Sequence, residues 1–267
     1  MDPRVPEPPE SPRLFRPRSV GDILAHAFEL YRLHWQTLIA TVAVIVIPLA
    51  AVQVVLTDVV IDESFRDGDV GDAGVAAVAV TSLVVAVVSV LMWAIVAGAI
   101  TRAAAGTFLG RSLDVGDSYR YGVARLGSIL LVGLLMGLAI AAGFILLVIP
   151  GFFVLTKLTV TLPALVIEDR RGRSALGRSW DLVAGYGWPV FGTIVVAWLL
   201  SGIVAGVLTA PFGDNAVGRA IAQSIASVIT TPYTTLVGIL IYLDLRVRKE
   251  RYGPDDLERD LARTSTP

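Results

Sequence analysis

The chain contains no cysteine, two histidines and, among 22 basic residues, only two lysines, Lys157 and Lys249. Without a thiol it can form no disulfide, hold no thiolate metal site and offer no cysteine nucleophile. His26 and His34 stand on one short segment with no cluster of carboxylates around them, so they read as interface residues, and no metal or cofactor is implied. Charge is scarce and balanced, at 17% charged residues and a formal net charge of −1, against about 25% charged in soluble domains. No basic surplus is available for nucleic acid. The phosphate-loop Gly-Lys-Ser/Thr, the dinucleotide Gly-x-Gly-x-x-Gly and the hydrolase Gly-x-Ser-x-Gly are all missing. Met1 to Pro17 hold six prolines and no apolar core. That excludes a signal peptide and predicts a disordered, Pro/Arg-rich cytosolic arm over residues 1–18.

Apolar residues are abundant. They make up 55% of the chain, and the mean hydropathy is +0.71. They fall in runs separated by short charged segments, the pattern of a chain whose solvent is lipid. Six runs are long enough to span a core of about 30 Å: Gln36–Leu56, Gly74–Ile100, Leu126–Ile149, Gly151–Ile167, Trp188–Leu208 and Ala220–Leu243. The fourth is short and contains Lys157 and Pro163. Pro150-Gly151 stands between the third and fourth and reads as a tight hairpin, with Pro ending one helix and Gly supplying the turn. One kinked helix over Leu126–Ile167 would be about twice as long as a bilayer requires.

The basic residues orient the spans. All but Arg66, Arg219 and Lys157 lie in alternate connections or at the termini. The first connection on the other side is acidic, with Asp58, Asp62, Glu63, Asp67, Asp69 and Asp72. Arginine and lysine accumulate on the cytoplasmic side, so both termini are expected there. The preference for Arg over Lys, with the Ala/Val/Gly richness, points to a GC-rich bacterial coding sequence and hence to the bacterial cytoplasmic membrane. The expected fold is all-α: a six-span membrane domain over residues 19–250 and a charged cytosolic tail over 251–267.

Three segments on the basic side are neither loops nor spans: Ser19–Trp35, Asp114–Arg125 and Ser174–Gly187. Each opens on Ser or Asp, residues suited to capping a helix N-terminus. Each then mixes apolar residues with Arg at helical spacing, as interfacial helices do. In the first, Ile23, Ala27, Leu30 and Tyr31 share one face. Two spans follow each segment, so the chain reads as three units of interfacial helix, span, span. Val-Gly-Asp recurs at Val20–Asp22 and Val115–Asp117. Amphipathic sequence in any inner loop is the alternative explanation.

Candidate functional residues fall into two groups. The intramembrane candidates are Lys157, whose charge must face protein or water inside a span, and the run Thr230–Thr235. In that run, Pro232 removes one helical hydrogen bond and hydroxyls such as that of Thr231 are placed to satisfy the freed carbonyl. Snorkelling of Lys157 and an ordinary proline kink are the structural alternatives. The second group is polar and lies on the basic side: Glu168, Arg178, Asp181, Asp244 and Arg246, expected to be linked by salt bridges. Such a cluster either clamps helix ends together or recognises a phospholipid headgroup. The glycine pairs Gly133/Gly137 and Gly202/Gly206 allow close helix packing, within the chain or between copies.

The order of these motifs resembles a bacterial membrane family. It is carried by Ser19–Arg32, by Ile149-Pro150-Gly151 with Val166-Ile167-Glu168 and Ala175–Val183, and by Thr231-Pro232 with Ile241–Arg248. The resemblance is to the glycerophosphoryl diester phosphodiesterase membrane domain and related actinobacterial multi-pass proteins, over about residues 19–250. In that family the membrane region precedes a soluble phosphodiesterase. This chain ends soon after its last span, so the resemblance implies the membrane module without the enzyme. The expected function is non-enzymatic: scaffolding a membrane or cytosolic protein partner, or binding phospholipid, anionic phospholipid included, at the inner leaflet. The alternative is a transporter of a small solute or lipid, with its site near Lys157 and Pro232. A third reading, a lipid-modifying enzyme, has no visible acid, base and nucleophile set behind it.

Overall fold

A computed structural model describes residues 17–56, 72–107, 115–213 and 215–264. Most of the N-terminal arm, the acidic connection from Asp58 to Asp69 and the expected cap Asp114 lie outside the described residues. Among the described residues, ten α-helices follow one another: α1 (Val20–Leu56), α2 (Asp72–Thr107), α3 (Val115–Ala124), α4 (Leu126–Leu146), α5 (Val148–Leu158), α6 (Thr161–Glu168), α7 (Arg173–Val183), α8 (Gly187–Thr209), α9 (Ala216–Glu250) and α10 (Pro254–Thr264). No strand occurs among the described residues. Six stretches of the described residues are long and apolar enough to cross a membrane: Val20–Ala51, Val78–Gly106, Leu126–Leu146, Val148–Glu168, Gly187–Phe212 and Val217–Glu250. The chain is an all-α, multi-pass membrane protein, as its hydropathy predicts.

The surface is as apolar as the core. Leu83, Leu134, Leu138, Leu199, Ile203 and Val207 are all exposed. In lipid, every backbone polar group must find its partner within the helix. Side-chain hydroxyls follow the same rule: Thr41, Thr101 and Ser201 each donate to the carbonyl four residues back, at 2.6–2.9 Å. Burial concentrates on the fourth and sixth spans. From Leu236 to Leu245, α9 buries nearly every side chain and packs on α1 and α8. Ile23, Ala27 and Leu30 of α1 enter this core on the face that their spacing predicts.

The three amphipathic helices precede three pairs of spans, but they are joined differently. The first is continuous with span one through a kink at His34 (φ −121°, ψ 20°). Its start is a capping box: Ser19 Oγ accepts from the Asp22 backbone at 3.2 Å, and Asp22 Oδ2 accepts from the Ser19 backbone at 3.0 Å. The second, α3, opens on the second Val-Gly-Asp. The third, α7, is capped at Gly172 and starts at Arg173. Ser174 lies inside it and donates to the Arg171 carbonyl at 2.8 Å, so its expected capping role is not observed.

The hairpin between spans three and four turns at Leu147, whose backbone is extended (φ −173°, ψ 160°). Pro150 does not end α4. It is the third residue of α5, where no intrahelical partner awaits its missing N–H. Pro163 and Pro189 hold the same position in α6 and α8, and Pro254 opens α10. These four prolines mark helix starts, whereas Pro48 and Pro232 lie inside α1 and α9. The turn does not need Gly151 either. That glycine allows a close approach: a Cβ on Gly143 would lie 3.0 Å from Gly151 Cα. In one continuous helix those residues would be about 12 Å apart, so the chain doubles back.

Span four is itself interrupted. α5 ends at Leu158, two turn residues follow, and α6 continues to Glu168. Span six is not broken: α9 is one helix with Pro232 buried inside it. The neighbouring threonine hydroxyls donate to the carbonyls of Ala226, Thr230 and Thr231, and none caps the Val228 carbonyl that Pro232 frees. Of the two glycine pairs, only Gly133 is packed, with the Trp93 ring 3.2 Å from a Cβ position; Gly137, Gly202 and Gly206 face open space.

Gly143→Leu is expected to force α4 and α5 apart and to lower stability by about 1–3 kcal/mol, as overpacking does. Gly137→Ala should leave it unchanged or slightly raised. Thermal unfolding of the detergent-solubilised variants checks both.

Candidate functional site

Tyr242, Arg246 and Glu250 are spaced four residues apart along α9 and present one helix face. That face meets the C-terminal end of α6, the middle of α7 and the helix α10. At the junction lies Glu168, with a side chain 8% exposed. Both of its oxygens accept from Arg178 Nε, at 2.8 and 2.9 Å. Its Oε1 also accepts from the Tyr242 hydroxyl at 2.8 Å and lies 3.7 Å from Arg246 Nη1. Arg170 approaches Oε2 at 3.3 Å.

Arg246 spreads its fork over three elements. Nε donates to Glu250 at 2.8 Å, and Nη1 donates to Asp260 at 2.7 Å and to the Tyr242 hydroxyl at 2.9 Å. Its guanidinium stacks 3.7 Å over the centre of the Tyr252 ring, and the Tyr252 hydroxyl donates to Asp260 at 2.9 Å. Arg178 reaches Glu250 at 2.5 Å. Lysine, a point charge on a flexible stem, cannot make this planar set of contacts.

Local electrostatics match the pairing. Burial disfavours the charged form of Arg178, but hydrogen bonds and charge from Glu168 and Glu250 outweigh it and raise its pKa. Burial raises the Tyr252 phenol, and Asp260 adds to the effect against the opposing Arg246. Three carboxylates (Glu168, Glu250, Asp260) face three guanidiniums (Arg170, Arg178, Arg246), so the cluster is formally neutral; Arg178 and Arg246 are each held between carboxylates, while the half-exposed Arg170 touches Glu168 alone. It clamps α6, α7, α9 and α10 together.

Of the five residues expected here, the structure brings Glu168, Arg178 and Arg246 together. Asp244 sits on another face of α9, paired with Arg248 at 2.7 Å and accepting from the Arg18 backbone at 2.7 Å. Asp181 enters through its carbonyl, which accepts from Lys249 at 2.5 Å; its carboxylate makes no ion pair among the described residues. Sequence reasoning missed Glu250, Asp260, Tyr242 and Tyr252. The four-residue spacing from Tyr242 through Arg246 to Glu250 was available as a signal. Asp260 was not, because α10 docks by tertiary contact: Leu257 is fully buried and Tyr252 nearly so. The expected charged tail is therefore packed on the domain over residues 254–264.

The intramembrane candidates separate. A cavity of about 500 Å³ lies among the spans, lined by Trp93 and Thr101 of α2, Met136 and Ile140 of α4, Leu155 and Leu158 of α5, Ile194 and Trp198 of α8, and Thr231 and Gly238 of α9. Among the described residues, no charged side chain lines it. Most of its hydroxyls are engaged: Thr101 donates to Ala97, Thr159 to Leu155 and Thr235 to Thr231, at 2.6–3.1 Å. Trp93 and Trp198 are each 48% exposed and stand where the cavity meets the surface.

Lys157 is not part of this lining. It turns towards α7, its ammonium 5.5 Å from the Phe153 ring centre and 5.6 Å from that of Trp180. Its carbonyl accepts from Ser179 at 2.7 Å. Ser179 follows Arg178, which holds Glu168, so Lys157 lies beside the charged layer.

Glu168→Gln should cost roughly 3–5 kcal/mol, because it leaves buried guanidiniums without their counter-charge. Asp181→Asn should change stability by no more than about 0.5 kcal/mol, as exposed substitutions do. Denaturation of the two variants side by side measures the contrast.

The family model described as Domain of unknown function (DUF7847) matches residues 75–244, and the chain belongs to that family. No curated protein and no solved structure matches it.

Proposed function

We propose that this family member is a non-enzymatic membrane module of the bacterial cytoplasmic membrane that binds phospholipid, with both termini in the cytoplasm. The uncharged cavity at the centre of the spans carries the reading. Its volume of about 500 Å³ falls in the range of small-molecule sites, roughly 300–1,000 Å³. Surrounded by lipid, an apolar space flanked by exposed tryptophans is open to acyl chains, and filling it with them leaves no polar group unsatisfied. The absence of charge among the described lining residues argues against an ionic solute, and Lys157, the cation on which the transporter alternative relied, is not among them. The polar clamp supports the same division of labour. It fixes the helix ends, and its committed arginines leave headgroup recognition to other residues. The resemblance to the phosphodiesterase membrane domain fits a module that lacks chemistry of its own.

Two measurements test this. Gly238 lines the cavity, and a Cβ there would touch nothing within 4 Å. Gly238→Leu should fill the space and lower the amount of copurified lipid, scored by mass spectrometry. Stability should hold or rise, since replacing a helical glycine gains up to about 1 kcal/mol. Wild-type lipid content in that variant would sink the reading. For orientation, the cysteine-free chain accepts single reporters at Ser64 and Ser265. A membrane-impermeant maleimide should label Ser64→Cys in intact cells and Ser265→Cys only after permeabilisation.

A further inference from the structure

Lys157 stands apart among the cations near the charged layer. Arg125, Arg178, Arg246 and Arg248 are each at least partly buried, and each has a carboxylate partner. Lys157 is more buried, at 8% exposed, and has no carboxylate within 4.0 Å among the described residues. Its surroundings are the rings of Phe153 and Trp180, set edge to face at 5.7 Å. Aromatic faces attract the ammonium but carry no charge to neutralise it, so a phosphate reaching the niche would supply the missing counter-charge.

The niche is shaped to receive that counter-ion from the bilayer. Phe153 and Trp180, which flank the ammonium, are 53% and 41% exposed. Trp188 nearby is 84% exposed, and exposed tryptophans of this kind settle at the headgroup level. The competing donors are occupied: Ser179 is bonded to the Lys157 carbonyl and Arg178 to Glu168 and Glu250. A lysine stem can carry its charge outward to an interfacial phosphate.

We propose that Lys157, between Phe153 and Trp180, is the headgroup site of the module and takes the phosphate of an anionic phospholipid. The site is distinct from the central cavity, which receives acyl chain and carries no charge. It places lipid recognition on the groove between α5 and α7 and leaves the neighbouring arginine clamp to structure.

The full chain in phosphatidylcholine nanodiscs is titrated with phosphatidylglycerol, and retained lipid is counted by native mass spectrometry. In a second arm, inorganic phosphate is the only added anion. The expected result is one phosphatidylglycerol retained per chain, favoured about fivefold over phosphatidylcholine, the ratio that about 1 kcal/mol gives. Lys157→Met should bring that ratio to one, Lys157→Arg should preserve it, and Gly238→Leu should leave it unchanged even where cavity lipid is lost. Arg173→Gln, an exposed cation at the start of α7, should also leave it unchanged. The proposal is overturned if Lys157→Met retains the preference at wild-type thermal stability, or if Arg173→Gln lowers it as much. A response to inorganic phosphate without a phosphatidylglycerol preference overturns the lipid assignment.

Discussion

The carboxylate of Glu168 is the point on which the arrangement of helices depends. It ends α6, receives Arg178 from α7 and Tyr242 from α9, and through Arg246 is tied to Asp260 of α10. Buried ion pairs contribute little net stability compared with apolar packing, but they are costly to break. Their value here is positional. Lipid-facing helices gain little from hiding apolar surface, because their solvent is equally apolar. A neutral set of three carboxylates and three guanidiniums at one end supplies the directional contacts that apolar packing between spans lacks.

That clamp determines what else can be functional. Because Arg178 and Arg246 are each held between carboxylates, arginine richness alone does not identify a headgroup site. Span four breaks after Leu158, α6 ends on the clamp at Glu168, and Lys157 lies beside the charged layer. The same break leaves Leu155 and Leu158 on the wall of the central cavity, across from Thr231 and Gly238.

Much of the local structure follows from residue order. The interfacial face of Ile23, Ala27 and Leu30 was readable from 3.6-residue spacing, as was the capping role of Ser19. Prolines were more ambiguous. Pro150 reads equally well as the end of one helix or the first turn of the next, because both places tolerate a missing N–H. Pro232 invites a broken helix, yet α9 runs through it while its threonine hydroxyls bond elsewhere. In both cases packing between helices made the choice: Gly143 against Gly151 in the hairpin, and the buried Leu236–Leu245 segment in span six.

Hydropathy determined the number of spans because the thickness of a bilayer fixes the length of an apolar helix. The four-residue spacing of Tyr242, Arg246 and Glu250 likewise fixed one polar face, because helix geometry is local. Which partner that face meets was decided only in three dimensions. Asp260 arrives on a docked tail helix, Asp244 turns to Arg248 and the Arg18 backbone, and Asp181 contributes a carbonyl. The separation of Lys157 from Thr231 was also a tertiary outcome. Sequence could place both within spans, but the direction each side chain faces depends on how the helices pack, and α5 packs against α7 and α8 far along the chain.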